Sequence, residues 1–77
     1  MKLKLFLDSD SYECLLKHVP DQALSRAAIS QAVLLGNTRV VECDDMEARE
    51  LLFHAISHCP AAVGRLAEAI RAAGLIP

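Results

Sequence analysis

Apolar and polar residues alternate from Lys2 to Leu7, with Leu3, Leu5 and Leu7 on one side and Lys2, Lys4 and Phe6 on the other. Strand side chains alternate with period two, so this spacing predicts a short strand with one face to bury. The period then changes. Tyr12, Leu15, Leu16 and Val19 fall at i, i+3, i+4 and i+7, a single helical stripe opposite Glu13, Lys17 and His18. Asp8-Ser9-Asp10-Ser11 supplies capping oxygens and acidic charge where that helix starts, and Pro20 ends it by forcing Val19 out of helical geometry. Asp21-Gln22-Ala23 predicts a turn. Ser25 is the expected N-cap of a second helix that buries Leu24, Ala28, Ile29, Ala32 and Val33, with Gly36 as its left-handed C′ residue. A competing arrangement pairs Val33-Leu34-Leu35 with Arg39-Val40-Val41 as a hairpin around Gly36-Asn37.

The second half echoes the first. Thr38 to Cys43 is rich in strand formers, and Asp44 followed by Glu47 is a capping-box pattern opening a long helix through about Cys59. Ala48, Leu51, Leu52, Ala55, Ile56 and Cys59 form its expected inward face. Pro60 suits the first position of a further helix with Val63, Leu66, Ala67 and Ile70 inward, and Gly74 with Leu75 predicts a Schellman stop. Strand, helix, helix thus occurs twice, at about 1–36 and 37–77, within a single expected domain 1–77. The expected fold class is α+β: a two-stranded ribbon from about 3 to 7 and 38 to 43, with about four helices packed on one face.

At 77 residues only roughly 60% of the chain's surface can be buried, so the core is marginal by itself and a homodimer or larger homo-oligomer is expected. Ala61, Ala62, Ala67, Ala69, Ala72 and Ala73 would let the last helix approach another copy closely. Hydrophobic residues make up 53% of the chain and aromatic ones 4%, so the core must be tiled from Leu, Ile, Val and Ala. Residues 1–36 are neutral overall; the remainder carries four arginines against six acids and supplies the net charge of −2. Such a balance offers no strongly basic patch. Leu5-Phe6-Leu7 is too short for the apolar core of a signal peptide, and no run approaches the roughly 18 apolar residues of a membrane span. Three cysteines, Cys14, Cys43 and Cys59, without a C-x-x-C pair predict neither a disulfide framework nor a zinc ribbon, and a reducing cytoplasm is the expected setting.

Glu50, His54 and His58 recur every four residues on one helical face, where a His pair could share a metal; a solvated face opposite the apolar stripe explains them without a ligand, and no metal or other cofactor is expected. Cys14 and His18 could form a thiolate–imidazole pair, but no glycine-rich loop or oxyanion site accompanies them, so no catalytic residue is assigned. Gly36, Gly64 and Gly74 are not spaced as a phosphate cradle.

Residues 2–36, with a short basic and apolar strand, a capped first helix, a turn and Leu24-Ser25-Arg26 opening a second helix, resemble the ribbon-helix-helix family of the Arc and MetJ kind. The resemblance implies strand pairing between two copies and a ribbon in the DNA major groove. It would place Lys2, Lys4 and Phe6 toward the bases and the amides of Ser25 and Arg26 toward a phosphate. Leu24 to Val33, with Gly36 beyond, also resembles the recognition helix of Cro-type helix-turn-helix repressors, which would put Ser25, Arg26 and Gln31 in the groove. Both resemblances imply a small DNA-binding transcriptional regulator or antitoxin-like protein. Glu42, Asp44 and Asp45 would repel phosphate, and they support the alternative of a non-enzymatic protein-binding adaptor or inhibitor that uses the acidic second half.

Overall fold

The computed structural model describes residues 2–74. Its strands are β1 (Lys2–Asp8), β2 (Val33–Leu35) and β3 (Thr38–Asp44); its helices are α1 (Ser9–His18), α2 (Arg26–Ser30), α3 (Asp45–His58) and α4 (Pro60–Ala72). The fold is α+β, with one antiparallel sheet in the order β1-β3-β2 and the helices behind it.

β1 and β3 form the expected ribbon, in a register that pairs Lys2 with Asp44, Leu5 with Val41 and Asp8 with Thr38. Leu3, Leu5 and Leu7 are buried, and Val41 and Cys43 from β3 join them. One core cluster draws on both halves of the chain: Tyr12, Leu15 and Val19 from the α1 region, Ala28 and Ile29 from α2, Ala48, Leu51 and Ala55 from α3, and Ala62, Leu66 and Ile70 from α4. The α1 stripe is the expected one, with Leu16 only partly buried. In α4 Leu66 and Ile70 are buried as expected, but Val63 and Ala67 are only partly so, and Ala62 turns inward instead. Fully buried in the chain's own core, Ala62 is not available for contact with another copy.

The second helix departs from expectation. It stops at Ser30 after five residues, and Val33-Leu34-Leu35 pairs with β3 as the competing hairpin, adding a third strand to the ribbon. The local chemistry explains the outcome. Val and Leu suit a pleated edge, and Gly36 adopts φ +63° while Asn37 keeps a negative φ, the sign pattern of a type II′ hairpin turn. Leu24 and Val33, expected inside, are 57% and 63% exposed. A recognition helix over 24–33 is accordingly absent from the described residues.

α3 starts as its sequence predicts. The Glu47 amide donates to Asp44 Oδ1 at 2.8 Å and the Asp44 amide to Glu47 Oε1 at 2.9 Å, a complete capping box. Ile56 lies outside the buried stripe at 64% exposure, with Met46 and Phe53 on the same solvent side. Gly74, at φ +79°, follows the end of α4, and its amide donates to the Arg71 carbonyl at 2.9 Å. The expected contact of Leu75 falls outside the described residues.

Candidate functional site

The helices cover one face of the sheet and leave the other to solvent. Because β1 alternates, Lys2, Lys4, Phe6 and Asp8 stand on that outer face, and the register places Asp44, Glu42, Val40 and Thr38 beside them on β3. Val33 pairs with Val40, and Leu35 with Thr38, so β2 extends the same surface. Two residue sets expected to serve rival functions are thus neighbours. Lys4 lies directly across from Glu42 and Lys2 across from Asp44 in the register, the arrangement in which opposite charges favour strand pairing. Lys2 Nζ also lies 4.0 Å from Glu47 Oε1.

Below this charged end, Phe6, Val40 and Val33 form an apolar row across all three strands. Phe6 is 52% exposed and Leu35, next to the row, 64%. Gln31 borders the same surface, in a shallow depression shared with Lys2, Lys4, Val33, Val40 and Glu42. Asp45 sits in the first turn of α3, at the end of the strand rather than within the face.

The remaining DNA candidates have internal duties. Ser25 is fully buried, so it does not reach a phosphate; its amide donates to Glu50 Oε1 at 2.7 Å and its hydroxyl donates to the same oxygen. The Leu24 amide donates to Glu50 Oε2 at 3.3 Å. Ser25 has helical backbone angles and makes no side-chain cap of its own, so α2 is capped by a carboxylate from α3. Arg26 donates through Nη1 to the carbonyls of Leu16 at 2.6 Å and Val19 at 3.2 Å, with its Nε 3.6 Å from Asp21 Oδ1. These contacts satisfy the carbonyl end of α1 and engage the Arg26 guanidinium within the fold.

Burial pushes the Glu50 carboxyl up, but the Ser25 hydroxyl, the Ser25 and Leu24 amides and His54 outweigh it and hold the group below the usual carboxylate range. Glu50 therefore belongs to a structural cap, whereas on the helical wheel it had grouped with His54 and His58. The His58 ring instead stacks on His18, with centroids 4.5 Å apart. Among the described residues no group of three or more His, Cys, Asp or Glu side chains is disposed to hold a metal ion. Addition of zinc is expected to leave the melting temperature nearly unchanged, because a ligand selective for the native state must raise it; a rise of several degrees would reinstate the histidine face as a metal site.

The cysteines correct the sequence reading. Cys14 on α1 is bonded to Cys59 at the α3–α4 junction, with their Cα atoms 6.0 Å apart and a sequence separation of 45. Cys14 is therefore not a thiolate partner for His18. Cys43 is free and buried, and desolvation, followed by the charges of Glu47 and Asp44, pushes its thiol up to about 11. Native protein should consequently alkylate at Cys43 only as fast as it opens. Mass spectrometry over a time course checks this, and rapid labelling of the folded chain would contradict the buried placement.

On the inner face, Arg39 sits beside Leu7 in the register and lays its guanidinium 4.8 Å from the centre of the Tyr12 ring. Compared with protein-family models, with curated proteins and with solved structures, the chain matches none of them.

Proposed function

We propose that this chain is a non-enzymatic protein-binding module, an adaptor or inhibitor, and that its contact surface is the outer face of the β1-β3-β2 sheet. The observation that carries the reading is the in-register pairing of Lys4 with Glu42 and Lys2 with Asp44 beside an exposed apolar row. A DNA-binding ribbon needs cations free to neutralise phosphates, since counterion release drives that affinity. Here Lys2 and Lys4 are outnumbered on their own face by Asp8, Glu42 and Asp44. A surface of mixed charge with exposed Phe6 and Val33 instead suits a protein partner, where apolar contact supplies affinity and charge placement sets register.

The second reading, a DNA-binding regulator, is favoured by one specific observation. Lys2, Lys4 and Phe6 stand together on the solvent side of β1, the side that the ribbon-helix-helix resemblance turns toward the bases, although β1 pairs here with β3 of the same chain rather than with a second copy.

Duplex retention separates the two. The protein-binding reading expects no retained duplex even near about 50 mM salt, and no effect of Lys2→Ala with Lys4→Ala. Retention that falls steeply with salt, and less steeply in that variant, would replace it with the DNA reading. In parallel, Phe6→Glu should abolish capture of a protein partner while circular dichroism shows the fold intact. The proposed setting is cytoplasmic, where the Cys14–Cys59 pair would stand reduced, and alkylation inside cells would then trap both thiols. A bonded pair in that experiment would place the protein in an oxidising compartment. Among the described residues no helix is long and apolar enough to cross a membrane.

A further inference from the structure

We infer that the outer face of the sheet is covered by a second copy of this chain, packed face to face about a two-fold axis that runs parallel to the strands, midway between β1 and β3. The inference rests on the reading of that face as a protein-contact surface, and it names the partner.

The register itself carries the inference. β1 presents Lys2, Lys4 and Phe6 in one column, and β3 presents Asp44, Glu42 and Val40 at the same heights in the next. Rotation about an axis along the strands keeps each row at its own height and exchanges the two columns. Lys2 and Lys4 of each copy then lie over Asp44 and Glu42 of the other, and Phe6 of each lies over Val40 of the other. Each contact occurs twice by symmetry, as an isologous interface requires. An axis across the strands would instead lay each column over itself with its rows reversed, setting Lys4 over Phe6 and Glu42 over Val40 about the centre of the face. Burying a charge against an apolar side chain without a partner is costly, so the pattern favours the first arrangement.

Aligned packing of two sheets at about 10 Å separation and roughly −30° is the ordinary geometry for such faces. Phe6 of the second copy, seated over Val40, would also border Val33, which pairs with Val40 and is 63% exposed. The two lysine rows lie at one end, with the apolar row next to them and Asp8 with Thr38 beyond it, so the lysines can hold their ammonium groups toward the open rim while their stems cover the sheet. Three short strands make a small face beside the standard interface of about 800 Å² per partner, so the association expected is a weak one.

The test is sedimentation equilibrium on the full chain, from low micromolar to about millimolar concentration, the range set by a weak contact. The wild type should pass from monomer to dimer mass. Lys4→Glu alone and Glu42→Lys alone should each stay monomeric, because each gives both columns one sign in that row. An equimolar mixture of the two should recover the dimer, since an acidic row then meets a basic one, with affinity at least tenfold above either variant's self-association. A single chain carrying both Lys4→Glu and Glu42→Lys keeps every pairing of the wild type and should dimerise like it; this variant decides the matter if a single substitution disturbs the fold.

A wild type that remains monomeric throughout overturns the inference. So does a dimer that survives Lys4→Glu with unchanged affinity, which would place the contact elsewhere, for example on the exposed alanines of α4. A mixture no more associated than its components also overturns it. Failure of the protein-contact reading is separately visible: a monomeric wild type in which Phe6→Glu still abolishes capture of another protein removes only the second copy, whereas no effect of Phe6→Glu on any association removes both.

Discussion

Replacing Cys14 and Cys59 with serine is expected to destabilise the oxidised protein by about 4 kcal/mol, the chain-entropy value for a loop of this length. The bond joins residues 45 apart and fastens α1 to the junction of α3 and α4, so without it the unfolded chain regains most of its conformational freedom. A domain of this size has only about 4 to 12 kcal/mol in total. The melting temperature should therefore fall by roughly 15 to 30 °C, read by circular dichroism on the wild type with and without reductant and on Cys14→Ser/Cys59→Ser. Reduced wild type and the double variant should melt together. A loss below about 1 kcal/mol would show that the reduced denatured chain already keeps this loop closed through residual structure.

Glu50→Ala should cost about 2 to 3 kcal/mol, far more than a change on a solvated helix face. The carboxylate accepts from the Leu24 and Ser25 amides and from the hydroxyl of a fully buried serine, so its removal strands those donors and uncaps α2. Glu50→Gln should be milder, about 1 to 2 kcal/mol, because one amide oxygen can still accept while the NH₂ group faces donors. The folded carboxyl titrates below its ordinary value, so its contribution is fully present above the unfolded pKa of about 4.3 and disappears as pH falls through the folded value. The stability gap between wild type and Glu50→Gln should accordingly be constant near neutrality and shrink in the acid range. A gap that is flat down to acid unfolding, or a substitution without effect, would detach Glu50 from the α2 cap.

The two predictions depend on contacts between residues 25 or more apart in sequence, whereas the elements themselves were largely legible locally. Alternation fixed Leu3, Leu5 and Leu7 as the buried side of β1, and the Asp44–Glu47 pattern marked the start of α3 because a capping box is closed within four residues. The i, i+3, i+4, i+7 stripe placed Tyr12, Leu15 and Val19 in the core for the same reason.

Where two local preferences competed, sequence did not choose. Residues 31 to 36 can continue a helix or form an edge strand, and the choice fell to β3, whose open side offers hydrogen-bonding partners that a longer α2 would leave unpaired. Ser25 and Arg26 carry the composition of a DNA-reading helix, yet the carboxylate of Glu50 and the carbonyls of Leu16 and Val19, brought near by folding, claim them first. Cys14 and Cys59 show no spacing signature, since their approach is a property of how α1 packs against α3 rather than of either segment.

The sequence by itself determined the α+β class, the ribbon of β1 with β3, and the side of β1 that faces solvent, because period and capping are interactions within a few residues. Only the tertiary structure decided that Lys2 and Lys4 stand against Asp44 and Glu42, because strand register is set by the whole packed sheet. That register sets acidic residues beside the lysines of a candidate cationic ribbon.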